Sequence, residues 1–155
     1  MKKRRYLLVI AIALFAASCT KSTSVNPYAV NAWYVAGQEY LQSTCTAGSS
    51  HQLLAISSSP SSILTASFAS ALPTKSSTYT VTGDSAGMSS DQVFFAFADT
   101  ISHEYAVSIG GANQSVSVTV SSAGKVSMTG AGISLYNVKN GVSDTVTMVI
   151  SLAQQ

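Results

Sequence analysis

Charge is what this chain has least of: Asp, Glu, Lys and Arg together make up 9% of its 155 residues, and no arginine occurs beyond Arg5. A surface this poor in cations cannot neutralise a run of phosphates, which argues against nucleic acid as a partner. The two cysteines, Cys19 and Cys45, are too few for a disulfide framework, and they make no zinc spacing with His51 or His103. His103-Glu104 fails as the start of an H-E-x-x-H helix because Val107 stands where the second histidine belongs. No D-x-D-x-D run offers a calcium loop, so no cofactor or metal is expected. Long apolar runs are missing as well. The stretch from Leu7 to Ala17 is eleven residues, too short to cross a bilayer as a helix. Nowhere does an apolar stripe of period 3.6 run long enough for a secure helix.

What is present begins with that same stretch. Met1-Lys2-Lys3-Arg4-Arg5 followed by the apolar run has the basic and hydrophobic regions of a secretory signal peptide. It ends in Ala16-Ala17-Ser18-Cys19, which resembles the lipobox of bacterial lipoproteins. The resemblance implies that residues 1–18 are removed and that Cys19 carries lipid as the first residue of the mature chain. Thr20, not Asp, follows Cys19; by resemblance to enteric sorting rules this implies the outer membrane, and the lack of an acidic run after it favours the periplasmic side over the cell surface. Beyond residue 18 the chain keeps four lysines against six acids, a net charge of −2, so its basic character belongs to the precursor. Residues 19–30, polar and without periodicity around Asn26-Pro27, read as a flexible tether, and 31–155 as one domain. With Cys19 acylated, Cys45 has no partner in the chain and is expected as a small buried side chain on a strand.

The domain is rich in hydroxyls: the chain has 28 serines and 14 threonines. Apolar and polar residues alternate in short runs separated by Gly, Asn or Ser. In Ser115 to Ser121, Val116, Val118 and Val120 share one face and Ser117 and Thr119 the other, because strand side chains alternate. Asp144 to Leu152 repeats the pattern, with Val149 breaking the polar face. Further strands are expected at Asn31 to Ala36, Glu39 to Cys45, Gln52 to Ser57, Ile63 to Phe68, Thr78 to Thr82, Gln92 to Ala98, Glu104 to Ile109 and Val126 to Tyr136. Ser122-Ala123-Gly124-Lys125 and Asn140-Gly141 read as hairpin turns, and Gly130 with Gly132 as a bulge. Val93 to Ala98 is apolar on both faces and is expected as a central strand covered from both sides. Strands at this spacing without helices predict an all-β fold, an antiparallel β-sandwich of about 8–10 short strands. A transmembrane barrel lacks its aromatic girdles here.

Trp33-Tyr34-Val35-Ala36-Gly37-Gln38-Glu39-Tyr40 resembles the opening hairpin of small β-rich lipoproteins of unknown function from Gram-negative bacteria, as do Ser77-Thr78-Tyr79-Thr80-Val81 and the last two strands. The resemblance implies a sandwich and no assigned activity.

Three patterns bear on chemistry. Gly83-Asp84-Ser85-Ala86-Gly87 matches G-x-S-x-G and resembles the nucleophile elbow of esterases, with Asp91 or Asp99 and then His103 in the right order. The flanking strands contradict the helix that an elbow needs, so Ser85 reads better as a loop residue and a hydrolase is the remote alternative. Asp84-Ser85-Ala86, Asp99-Thr100-Ile101 and Asp144-Thr145-Val146 use three of the four aspartates in one Asp-hydroxyl-aliphatic triplet. The triplet resembles an O-glycosylation signal of some Gram-negative bacteria, which would make Ser85, Thr100 and Thr145 acceptors; Asp before Ser or Thr is also favourable turn chemistry. Trp33, Tyr34 and Tyr40 are candidate ligand-contact aromatics, or core. The leading expectation is a non-enzymatic, lipid-anchored lipoprotein with a structural or interaction role. The alternative is a glycan- or envelope-protein-binding module using exposed aromatics or a sheet edge.

Overall fold

The computed structural model describes residues 30–155, except for the Ala112 side chain; the signal peptide, Cys19 and residues 20–29 lie outside the described residues. Ten strands follow in order: β1 (Ala32–Val35), β2 (Gln38–Ser49), β3 (Gln52–Ser58), β4 (Ser61–Phe68), β5 (Ser77–Thr82), β6 (Gln92–Asp99), β7 (Glu104–Ser108), β8 (Gly110–Val120), β9 (Val126–Lys139) and β10 (Val142–Ala153). Each overlaps an expected strand, with β2, β8, β9 and β10 longer than expected, and the described residues contain no helix.

All ten strands belong to one sheet, and that sheet returns on itself. Starting at β1, antiparallel pairing leads through β2, β3, β4, β6, β7, β9 and β10 and back to β1. The β5 and β8 strands fill a second path between β6 and β9. There β5 runs parallel to β6 through the pairs Thr80↔Gln92 and Val81↔Val93, then pairs with β8, which pairs with β9. The fold is therefore the expected all-β, sandwich-like one. Its two facing layers are opposite walls of a single closed sheet, and closure satisfies edge groups that an open sheet would leave unpaired.

Inward-facing side chains from every strand fill the interior. Trp33, Tyr40, Phe68, Phe95, Phe97, Leu64, Met128 and Leu135 are all essentially inaccessible to solvent. Trp33 stacks on Tyr40 at 5.8 Å between ring centroids, and Tyr40 meets Phe97 edge-on at 5.0 Å. Offset and edge-on rings of this kind add to the gain from burying their area. Cys45 is buried among them, as expected, and burial pushes its thiol pKa up to about 11.

Turn chemistry sets the register. Asn140 and Gly141 both take positive φ, 51° and 80°, which lets a two-residue turn join β9 to β10 with the twist of the flanking strands. Gly132, at φ 71°, lies in the bulge of β9, where the partner register on β10 jumps between Met148 and Ile150. Where β5 leaves β6, the chain uses Ser108 as a substitute for the ladder. Its hydroxyl accepts the Phe95 N–H at 3.0 Å and donates to the Thr82 carbonyl at 2.6 Å. Gln42 does the same where β1 has not yet begun: its amide donates to the Ala153 carbonyl at 2.8 Å and accepts the Ala153 N–H at 3.2 Å.

Candidate functional site

Of the three candidate contact aromatics, two are core. Trp33 and Tyr40 are 0% and 1% exposed, stacked in the core, so neither can touch a ligand while the protein is folded. Alternation left their face open because both faces of the first two strands carry aromatics; closure of the sheet decides it. Tyr34 points outward, is half-buried, and donates its hydroxyl to Glu39 on the neighbouring strand.

Ser85 is exposed in the loop between β5 and β6. Strand, loop, strand replaces the strand, turn and helix that an elbow requires. The Asp84 carboxylate accepts the Ala86 N–H at 2.8 Å, which makes the pentapeptide an Asx turn. The groove beside it, about 340 Å³, is lined by Thr80 to Gly83, Gln92 and Ile109 to Gly111. A side chain at Gly83 would place Cβ 2.1 Å from the Ile109 carbonyl oxygen, so glycine is needed there for close backbone passage. Asp99 ends β6 and His103 lies in the turn between β6 and β7, while Asp91 precedes β6.

The three Asp-hydroxyl triplets share an exposed hydroxyl: Ser85, Thr100 and Thr145 are all on the surface. Their aspartates each do local work. Asp99 accepts the N–H groups of Ile101 and Ser102 at 2.9 and 3.0 Å, and Asp144 accepts that of Thr145 at 2.7 Å. The last bond bears on the sheet-edge reading. Among the described residues, no strand pairs with Val142–Val146 on the side away from β9, and the Asp144 carboxylate occupies an N–H in that short free stretch. Most of the ring is paired on both sides; Thr44 to Ser49 of β2, paired only with β3, is a second stretch with a less covered side.

Inside the sheet, at the end that holds the β3–β4, β6–β7 and β9–β10 turns, the lining changes from apolar to polar. Ser57, Ser62, Asp99 and Glu104 are direct cross-strand partners on four neighbouring strands, and all four are buried. Glu104 accepts Asn137 Nδ2 at 2.9 Å and Lys139 Nζ at 3.0 Å. Tyr40 donates to Asp99 Oδ2 at 3.4 Å. Burial pushes the Asp99 pKa up. The Ser102 and Ile101 N–H groups outweigh that, helped by the nearby Ser102 hydroxyl and by Tyr40, so the carboxyl titrates below its ordinary value. Burial first, then the charges of Glu104 and Asp99, hold the Tyr40 phenol well above its ordinary pKa. Tyr40 is thus a fixed donor, and both carboxylates have protein partners. The Ser57 and Ser62 hydroxyls in the same row are buried without a hydrogen-bond partner among the described residues.

The outward face of the same strands carries no charge. One row of cross-strand partners reads Ile56, Ile63, Ala98, Tyr105 and Val138; the next reads Leu54, Thr65, Ala96, Val107 and Tyr136. Tyr105 is 53% exposed, Tyr136 48% and Ile63 38%. The expectation that Val93 to Ala98 is covered on both sides is corrected here. Val93, Phe95 and Phe97 are buried inside, whereas Phe94, Ala96 and Ala98 face outward and are half-buried, because the closed sheet has only one interior. The sequence signal for this face was that same two-sided apolar run, with Leu53 to Ile56 beside it. A contiguous apolar surface of this kind is uncommon on a protein with no partner for it.

No known protein family, curated protein or solved structure matches this chain.

Proposed function

We propose that the protein is an exported lipoprotein, anchored through Cys19 at the bacterial outer membrane and facing the periplasm. In this reading it has a structural or interaction role and catalyses no reaction. The observation that carries it is the succession, in one chain, of Met1 to Arg5, the Leu7 to Ala17 run and Ala16-Ala17-Ser18-Cys19, ahead of a sheet that satisfies itself from Ala32 to Ala153. A short polar tether followed by a compact domain is what a lipid anchor requires. The uncharged outer face supplies the surface through which such a domain would act, and it takes the place of the buried Trp33 and Tyr40 in the binding alternative.

Intact mass after expression in a Gram-negative host tests the reading. The expected species begins at Cys19 and carries a diacylglyceryl group and an acyl chain. A chain that keeps residues 1–18, or is cut elsewhere without lipid, overturns it. The same spectrum reads Ser85, Thr100 and Thr145: sugar-sized increments, mapped to those residues, identify them as acceptors, and a lipid-only mass removes that assignment.

A further inference from the structure

We propose that the uncharged outer face of β3, β4, β6, β7 and the Leu135–Lys139 end of β9 rests on the surface of the bilayer to which the chain is anchored. The inference depends on the lipid-anchor reading and adds the orientation of the domain. Three observations carry it.

The first is composition. Ile56, Ile63, Tyr105 and Tyr136 lie on two adjacent cross-strand rows that contain no charged residue, so moving the face toward lipid desolvates no ion. Aliphatic side chains flanked by tyrosines suit the boundary between headgroups and acyl chains, where an amphipathic ring keeps its hydroxyl wet. Ile101, in the β6–β7 turn that adjoins these strands, is 71% exposed. The outward positions of β10 differ in kind: Ser143, Thr145, Thr147 and Ser151 line that wall with hydroxyls, interrupted by Val149.

The second is reach. Ten residues, 20–29, separate the acylated cysteine from the first described residue. An extended chain spans at most about 3.5 Å per residue, so the eleven steps from Cys19 to residue 30 allow up to roughly 40 Å, about the length of a twelve-residue strand. A tether of that reach leaves the domain room to turn this face toward the membrane. Tethering of this length acts as a millimolar-range effective concentration, so even a weak surface affinity is enough to orient the domain.

The third is shape. The face lies on the outside of a closed sheet and is convex. Two convex faces from two copies touch along few strands, a shape that works against the roughly 800 Å² per partner of a stable dimer. A fluid headgroup layer conforms to a convex surface.

The test uses the full lipidated protein in phosphatidylcholine vesicles whose acyl chains carry bromine, a contact quencher of tryptophan fluorescence. Trp33, the single tryptophan, is buried and gives a constant background. Tyr105→Trp reports on the proposed face, Ile63→Trp reports on it independently should the first variant fold poorly, and Thr147→Trp reports on the hydroxyl-lined wall. Docking predicts severalfold stronger quenching at position 105 or 63 than at 147. Equal quenching at both walls, or none at either, in protein that floats with the vesicles overturns the docking and leaves the anchor standing. Shielding of position 105 from aqueous acrylamide without quenching by bromine assigns the face to a second copy or another protein and also overturns it. Protein that does not float with the vesicles overturns the anchor, and the docking with it.

Discussion

The two faces of β6 are equally apolar in sequence and have opposite fates. Val93, Phe95 and Phe97 point into the closed sheet and are buried; Phe94, Ala96 and Ala98, on alternate positions of the same strand, point outward and are half-buried. The difference shows that hydrophobic character on a strand face does not by itself mean core. It means a surface that something should cover, and here only one side is covered by the protein itself.

The largest effect should come from breaking the inner side. Phe95→Ala is expected to cost about 3–5 kcal/mol by leaving a cavity in a filled interior, and Phe94→Ala no more than about 1 kcal/mol. Denaturant unfolding of both variants checks the contrast; equal losses would mean that the outer face is packed too. Next comes the hinge between the two sides. Ser108→Ala strands the Phe95 N–H and the Thr82 carbonyl and should cost about 1–3 kcal/mol, visible as faster amide exchange where β5 departs from β6.

The smallest effect concerns the polar end of the interior. Because the folded-state pKa of Asp99 lies below its ordinary value, its ionised form adds stability above about pH 4, and that contribution is lost as the pH falls through the folded-state pKa. Asp99→Asn should therefore flatten the acid limb of the stability profile while leaving a carbonyl oxygen to cap Ile101 and Ser102. An unchanged acid limb would show that the carboxylate charge is not what holds this turn.

Much of this architecture was legible in the chain. The alternation of Val116, Val118 and Val120 with Ser117 and Thr119 marked a strand, Asn140-Gly141 marked its hairpin, and Gly130 with Gly132 marked a bulge, because backbone geometry and side-chain alternation are local properties. The juxtaposition of Ser57, Ser62, Asp99 and Glu104 was not legible. It depends on the registers of three separate strand pairs, and no short stretch of sequence encodes all three. The burial of Trp33 and Tyr40 was hidden for the same reason. Alternation assigns them a face, and only the strand that arrives on the other side decides whether that face is inside.

By itself, then, the sequence determined the run of about ten strands, the hairpin turns at Ser122 to Lys125 and Asn140-Gly141, the absence of helices among the described residues and the export signal it is proposed to carry. Each follows from residues within a few positions of one another. Tertiary structure alone decided that the sheet closes through β10 on β1 and β9, that two carboxylates meet a tyrosine at one end, and that an uncharged wall is left facing outward. Those outcomes come from pairing between residues far apart in the chain, where closure can bury only one face of each strand.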